Sequence, residues 1–190
     1  IHLLSQQTEA FDALQSAGAI PKLVKCVESN FKSGHAQSSE IALRALRNLC
    51  AVNKERQEQA AVAGLIPLLV QIIDRAKIGE SDADDASTKD HAPAYVSPSV
   101  KLAVPLLCDM ASTSRRTREL LEKHGALDAY VRLISVNSGW TLSALNAVGS
   151  WLAIEPWKVE ARLLESDAAE SVHEAFEASV GEASVLEALL

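Results

Sequence analysis

Ala42-Leu43-Arg44-Ala45-Leu46-Arg47-Asn48-Leu49-Cys50, followed after a polar break by Ala60-Ala61-Val62-Ala63-Gly64-Leu65-Ile66-Pro67-Leu68-Leu69-Val70, is the stretch of this chain that decides its fold. In its first part, apolar residues at 42, 43, 45, 46, 49 and 50 fall on one side of a 3.6-residue wheel, leaving Arg44, Arg47 and Asn48 on the opposite stripe. That spacing predicts an amphipathic helix with one polar face. In the second part, Gly64 stands where a helix can end in the left-handed conformation, which a residue with a Cβ adopts only under strain. Pro67 follows in the first turn of the next helix, where a missing N–H costs little.

The second part recurs along the chain. Gly18-Ala19-Ile20-Pro21-Lys22-Leu23-Val24 and Gly125-Ala126-Leu127-Asp128-Ala129-Tyr130-Val131 repeat it, and a degenerate copy has Asp167 in place of the glycine ahead of Ala168-Ala169-Glu170-Ser171-Val172. The copies are 46, 61 and 42 residues apart, and the long middle interval contains an Asp-, Ser-, Ala- and Pro-rich insertion at 79–97 without helical periodicity. Without those 19 positions that interval also becomes 42. A period of about forty residues is the range of helical solenoids. The expected organisation is one domain spanning 1–190, with repeats at about 5–52, 54–112, 114–154 and an incomplete 156–190.

This arrangement resembles the armadillo repeat, on the strength of the Ala-Leu-x-x-Leu-x-Asn-Leu helix ending at Cys50 and the Gly64 to Leu69 segment. The resemblance implies an all-α, right-handed α-solenoid of helix triplets, with a HEAT-type helix pairing as the structural alternative. It also implies that the third helix of each triplet lines a concave groove that takes an extended or helical protein segment. The residues that fall on that groove are Arg44, Arg47, Asn48, Lys101, Asp109, Asn146 and Ser150. In the nuclear-import members a Trp and an Asn on each third helix grip the peptide backbone. Here the Trp position holds Arg44, Pro105 and Asn146, and the Asn position holds Asn48, Asp109 and Ser150. That broken ladder argues against nuclear-localisation peptides as ligands. Pro105, inside an apolar run, demands a kinked or late-starting helix.

A second resemblance lies further on. Trp140-Thr141-Leu142-Ser143-Ala144-Leu145, Ser150-Trp151-Leu152, Pro156-Trp157-Lys158-Val159-Glu160 and Leu163-Leu164 are similar to the helical region downstream of the kinase domain in fungal septation-initiation and mitotic-exit kinases and in the plant epsilon class of MAP kinase kinase kinase. It implies the non-catalytic, regulatory or localising part of a cell-division serine/threonine kinase, placed at the spindle pole or division site. The chain itself has no glycine-rich phosphate loop, no HRD-type catalytic loop and no DFG. Trp151 is expected in the core, and Trp140 and Trp157, near helix starts, are candidate exposed anchors, with buried staples between repeats as the alternative.

Composition narrows the rest. Of 190 residues 48% are hydrophobic and 4% aromatic, too apolar for a disordered chain. No apolar run reaches the ~18 residues of a membrane span. The net charge is −7, which speaks against nucleic acid as a partner. The charge is unevenly placed: residues 1–78 carry +2, 79–90 carry −4, 91–159 carry +2 and 160–190 carry −7. The densest basic cluster, Arg115, Arg116 and Arg118, is a candidate contact for an acidic peptide. Five scattered histidines show no metal-ligand spacing, and the acidic run from Gly79 to Asp90 lacks the glycine and distal glutamate of a calcium loop. Ser81, three residues before Asp84, has an acidophilic phosphorylation pattern. Cys26, Cys50 and Cys108 sit in aliphatic runs and are expected as buried free thiols in a reducing, intracellular and cytoplasmic compartment. No catalytic residue, metal site or cofactor is expected. The first residue, Ile1, with no leader pattern after it, points to a domain of a longer protein. The expected function is therefore a protein-binding scaffold, with homodimerisation through the edge formed by the last repeat as the alternative.

Overall fold

The structure, a computed structural model, describes residues 10–76, 97–135 and 139–178. Among them there is no strand, and the helices form three triplets and a pair. The first triplet is α1 (Phe11–Ser16), α2 (Ala19–Lys32) and α3 (Ala36–Cys50), and the second is α4 (Lys54–Val62), α5 (Leu65–Arg75) and α6 (Pro98–Met110). The third is α7 (Arg115–Lys123), α8 (Ala126–Ser135) and α9 (Thr141–Leu152), followed by α10 (Pro156–Leu163) and α11 (Ser166–Ala178). The all-α solenoid expected from the repeat is the observed fold. Apart from Ser97, the acidic insertion lies outside the described residues, and Ser81 with it.

Glycine makes the first joint of each triplet. Gly18, Gly64 and Gly125 have φ of 66°, 95° and 68°, and each stands directly before a second helix. The fourth joint departs from expectation. Helix α10 stops at Leu163, the break falls at Leu164 and Glu165, and Asp167 lies inside α11 rather than at the joint. Without a glycine, the turn is made by ordinary backbone, with the Glu165 N–H donating to the Arg162 carbonyl at 3.3 Å.

Stacking closes the core. The third helices lie side by side, α3 against α6 and α6 against α9, while α2, α5, α8 and α11 form the adjoining layer. Leu43, Leu46 and Leu49 of α3, Ile66 and Leu69 of α5, Leu106, Leu107 and Met110 of α6, and Trp151 of α9 are all but fully buried. Each such side chain is worth about 1.5–3 kcal/mol on burial. Tyr130 is wholly buried and donates from its hydroxyl to the Leu107 carbonyl at 2.7 Å, tying α8 to α6. Helix α6 begins at Pro98 and runs through Pro105, so a late start is ruled out. The carbonyl that Pro105 cannot serve belongs to Lys101, an exposed residue within reach of water.

The glycine joints are testable. A Cβ on Gly64 would meet nothing within 4 Å, so Gly64→Ala carries only the conformational cost of the left-handed backbone. Loss of about 1–2 kcal/mol in urea unfolding is expected, with the far-ultraviolet circular dichroism spectrum unchanged.

Candidate functional site

Helices α3, α6 and α9 each turn one stripe inward and leave the other uncovered. On α3, Arg44 and Arg47 are exposed and Asn48 is half-buried; on α6, Lys101 and Asp109 are exposed; on α9, Asn146 is exposed and Ser150 half-buried. All seven residues expected on the groove therefore lie on three adjacent helices. Arg44 is held by its own helix, with Nη2 2.5 Å from Glu40 Oε1. Between α3 and α6, Arg47 and Asp109 lie close enough to interact electrostatically. Partial burial pushes the Asp109 carboxyl above its ordinary pKa, and the Arg47 charge pulls it back down.

The face is not wholly polar. Ile41 is 46% exposed and Leu142 36% exposed, one on α3 and one on α9, and Pro105 lies half-buried between these helices. These apolar positions were not singled out by the polar stripe. Their signal was present in the spacing, since Ile41 precedes Arg44 by three residues and Leu142 precedes Asn146 by four.

The aromatic anchors separate. Trp157 is 67% exposed at the start of α10, with Lys158 Nζ 5.4 Å from its ring centre. Trp140 is half-buried and packs against the core, so it is not an exposed anchor. Trp151 is in the core, and its indole N–H donates to Glu155 Oε2 at 3.1 Å.

The basic cluster separates too. Arg115 and Arg116 are exposed on α7, and Arg115 pairs with Glu119 at 3.0 Å. Arg118 is only 6% exposed and lies 3.6 Å from Glu155, so it joins α7 to α10 and is unavailable to an acidic peptide. The reason is helical phase. Thr117, Arg118 and Leu121 share the buried side of α7.

Of the cysteines, Cys50 is buried and Cys108 partly so, but Cys26 is exposed, accepting from Asn30 Nδ2 at 3.2 Å. Burial pushes both the Cys50 and the Cys108 thiols up to about 12. No group of three or more His, Cys, Asp or Glu side chains among the described residues could hold a metal ion, and no described helix is long and apolar enough to cross a membrane.

Comparison with known proteins agrees with this fold. Residues 7–51 match the model of the Armadillo/beta-catenin-like repeat. The chain is 38% identical over 178 residues to MAP3K epsilon protein kinase 1 of Arabidopsis thaliana, covering 92% of this chain and 11% of that protein. It is 32% identical over 164 residues to Cytokinesis protein sepH of Aspergillus niger, covering 86% and 11%. It thus spans about a tenth of the length of these curated relatives. A crystal structure of computationally designed armadillo repeat proteins for modular peptide recognition superposes with a TM-score of 0.70 at 20% identity, over 98% of this chain and 68% of the other. The chain is an all-α solenoid of armadillo type and resembles one segment of these kinases.

Thiol reactivity checks the packing of the site. At about pH 8, iodoacetamide is expected to modify Cys26 quickly and to reach Cys50 and Cys108 only on unfolding, because the thiolate is the reactive form. Three equally fast cysteines on mass spectrometry would contradict the packing of α3 and α6.

Proposed function

We propose that this armadillo-repeat domain is a non-catalytic protein-interaction module whose third-helix face holds a segment of a partner protein. The observation that carries the reading is the uncovered stripe of α3, α6 and α9, where Arg44, Arg47 and Lys101 outnumber Glu40 and Asp109 and stand among Ile41 and Leu142. Such a face offers charge and hydrogen bonds to a strand-like or helical segment, with apolar contacts between them. Its excess of cations favours an acidic segment. The designed armadillo proteins that share the fold were made for peptide recognition, which supports the same use of this face. In a larger protein similar to MAP3K epsilon protein kinase 1 or Cytokinesis protein sepH, the module would regulate or localise a serine/threonine kinase at the site of cell division.

A second reading rests on a different observation. Ile154 in the turn before α10, Trp157 in its first turn and Leu164 directly after it are 50%, 67% and 83% exposed. A second copy of the chain could cover these apolar side chains, making the terminal repeat a dimer interface. Under that reading, light scattering would give a mass that rises above 20.4 kDa with concentration and returns to it in Trp157→Glu. A concentration-independent monomer overturns it.

For the groove, fluorescence anisotropy with a panel of extended peptides differing only in net charge provides the test. The acidic members should bind more tightly, and replacing Arg44, Arg47 and Asn48 together by alanine should weaken them about tenfold or more while moving the thermal midpoint little, since exposed ion pairs contribute only ~0–1 kcal/mol. Equal affinity across the panel, or a triple variant that keeps the preference, contradicts the assignment.

A further inference from the structure

The second helices form one layer, in the order α2, α5, α8 and α11. Charge is graded along it. Helix α2 has three lysines against one glutamate, α5 and α8 each have one aspartate against one arginine, and α11 has four carboxylates and no lysine or arginine. The layer is positive at its first helix, neutral in the middle and negative at its last.

The middle is neutral through ion pairs, whereas the ends keep open charge. Asp74 of α5 pairs with Arg132 of α8, and Asp128 of α8 pairs with Arg162 of α10. On α2, Lys22, Lys25 and Lys32 share one exposed stripe, opposite the buried Leu23, Val24 and Val27. On α11, Glu170, Glu174 and Glu177 share another, opposite the buried Ala168 and Ala175. Lys32 is met by Glu28 at 2.7 Å, and Glu177 by His173 at 3.4 Å. Lys22 reaches the Ala17 carbonyl at 3.1 Å, but Lys22, Lys25, Glu170 and Glu174 form no ion pair with a described residue.

Within one molecule the two stripes do not meet. Helices α5 and α8 stand between α2 and α11, and each step between packed helices is about 8–10 Å. Every other copy of the chain, however, carries the complement of both stripes. The two helices have 14 and 13 residues, so the stripes match in extent as well as in sign.

We propose that α2 of one molecule docks on α11 of the next, lysine stripe against glutamate stripe. The contact joins two different surfaces of the same chain, so its repetition builds an open head-to-tail row rather than a closed pair. Being electrostatic and exposed, it is weak and sensitive to salt. It uses neither the third-helix face nor the apolar side chains around α10, and stands or falls separately from both.

The test is sedimentation of the Trp157→Glu chain, in which an apolar contact through α10 cannot contribute, at about 20 mM and about 500 mM salt. At low salt the average mass should rise above 20.4 kDa with concentration, and at high salt it should stay there. Adding Lys22→Glu and Lys25→Glu should give a monomer at both, as should adding Glu170→Lys and Glu174→Lys instead. All four side chains are exposed, so the far-ultraviolet circular dichroism spectrum should not change. Mixed in equal amounts at low salt, the two reversed variants should associate again, because each carries the stripe that complements the other. A monomer at low salt, an association that salt leaves unchanged, a reversed variant that still associates alone, or a mixture that stays monomeric overturns the proposal.

Discussion

No triplet of helices in this chain buries its own apolar surface, and the structure follows from that deficit. Helix α6 shows it best. Its inner side is dry at Ala103, Val104, Leu106, Leu107 and Met110, and this requires α3 on one flank, α9 on the other and α5 behind. Remove a neighbour and those side chains meet water, at about 25 cal/mol for each square ångström uncovered. The uncovered face is the other side of the same arrangement. Because stacking claims only one stripe of each third helix, the opposite stripes of α3, α6 and α9 are left in register, and Arg47 and Asp109 lie near enough across them to interact electrostatically.

Stacking by apolar contact alone leaves the repeats free to slide, and buried polar residues fix their register. Arg56, only 6% exposed, reaches from α4 to Asp12 at 2.5 Å and Gln15 at 2.8 Å, with the Phe11 ring beneath it. Its neighbour Gln57 donates to the Cys50 carbonyl at 2.8 Å and accepts from Thr113 at 2.6 Å, joining three successive turns of the solenoid. Arg118 plays the corresponding part between α7 and α10, and its Nε lies 3.6 Å from Glu155 without a hydrogen bond. Buried charges of this kind add little net stability, since desolvation offsets the attraction, but misplacing one is costly. Their role is to specify which turn faces which.

Much of this was legible in the residues. The glycines at 18, 64 and 125 marked the joints because a left-handed backbone is chemically distinctive, and the α3 stripe was readable because one helix carries its whole period. What was not legible depended on phase or on tertiary convergence. Arg115, Arg116 and Arg118 are neighbours in sequence, but Arg118 packs on the inward side of α7 with Thr117 and Leu121 while Arg115 and Arg116 stay exposed. Cys26 lies among aliphatic residues yet faces out of α2, beside Lys25. Asp167 stood in the glycine column, but with no left-handed residue the joint moved to Leu164 and Glu165. A cavity beside Arg75 had no signal at all, since it is made by four helix ends drawn from positions as far apart as Asn30 and Val100.

Helix α10 is attached differently from the helices before it. Where α5 buries seven side chains, α10 buries only Val159. The connections of α10 to the preceding repeat run largely through ions: Lys158 with Glu122, Arg162 with Asp128 at 2.6 Å, and Arg118 with Glu155. Salt does not screen apolar contact, whereas these pairs, partly open to solvent, are weakened by it. Helix α10 is therefore a soft joint, held by a fastening that ionic strength or a competing charged surface can loosen, while α11 after it stays packed on α8.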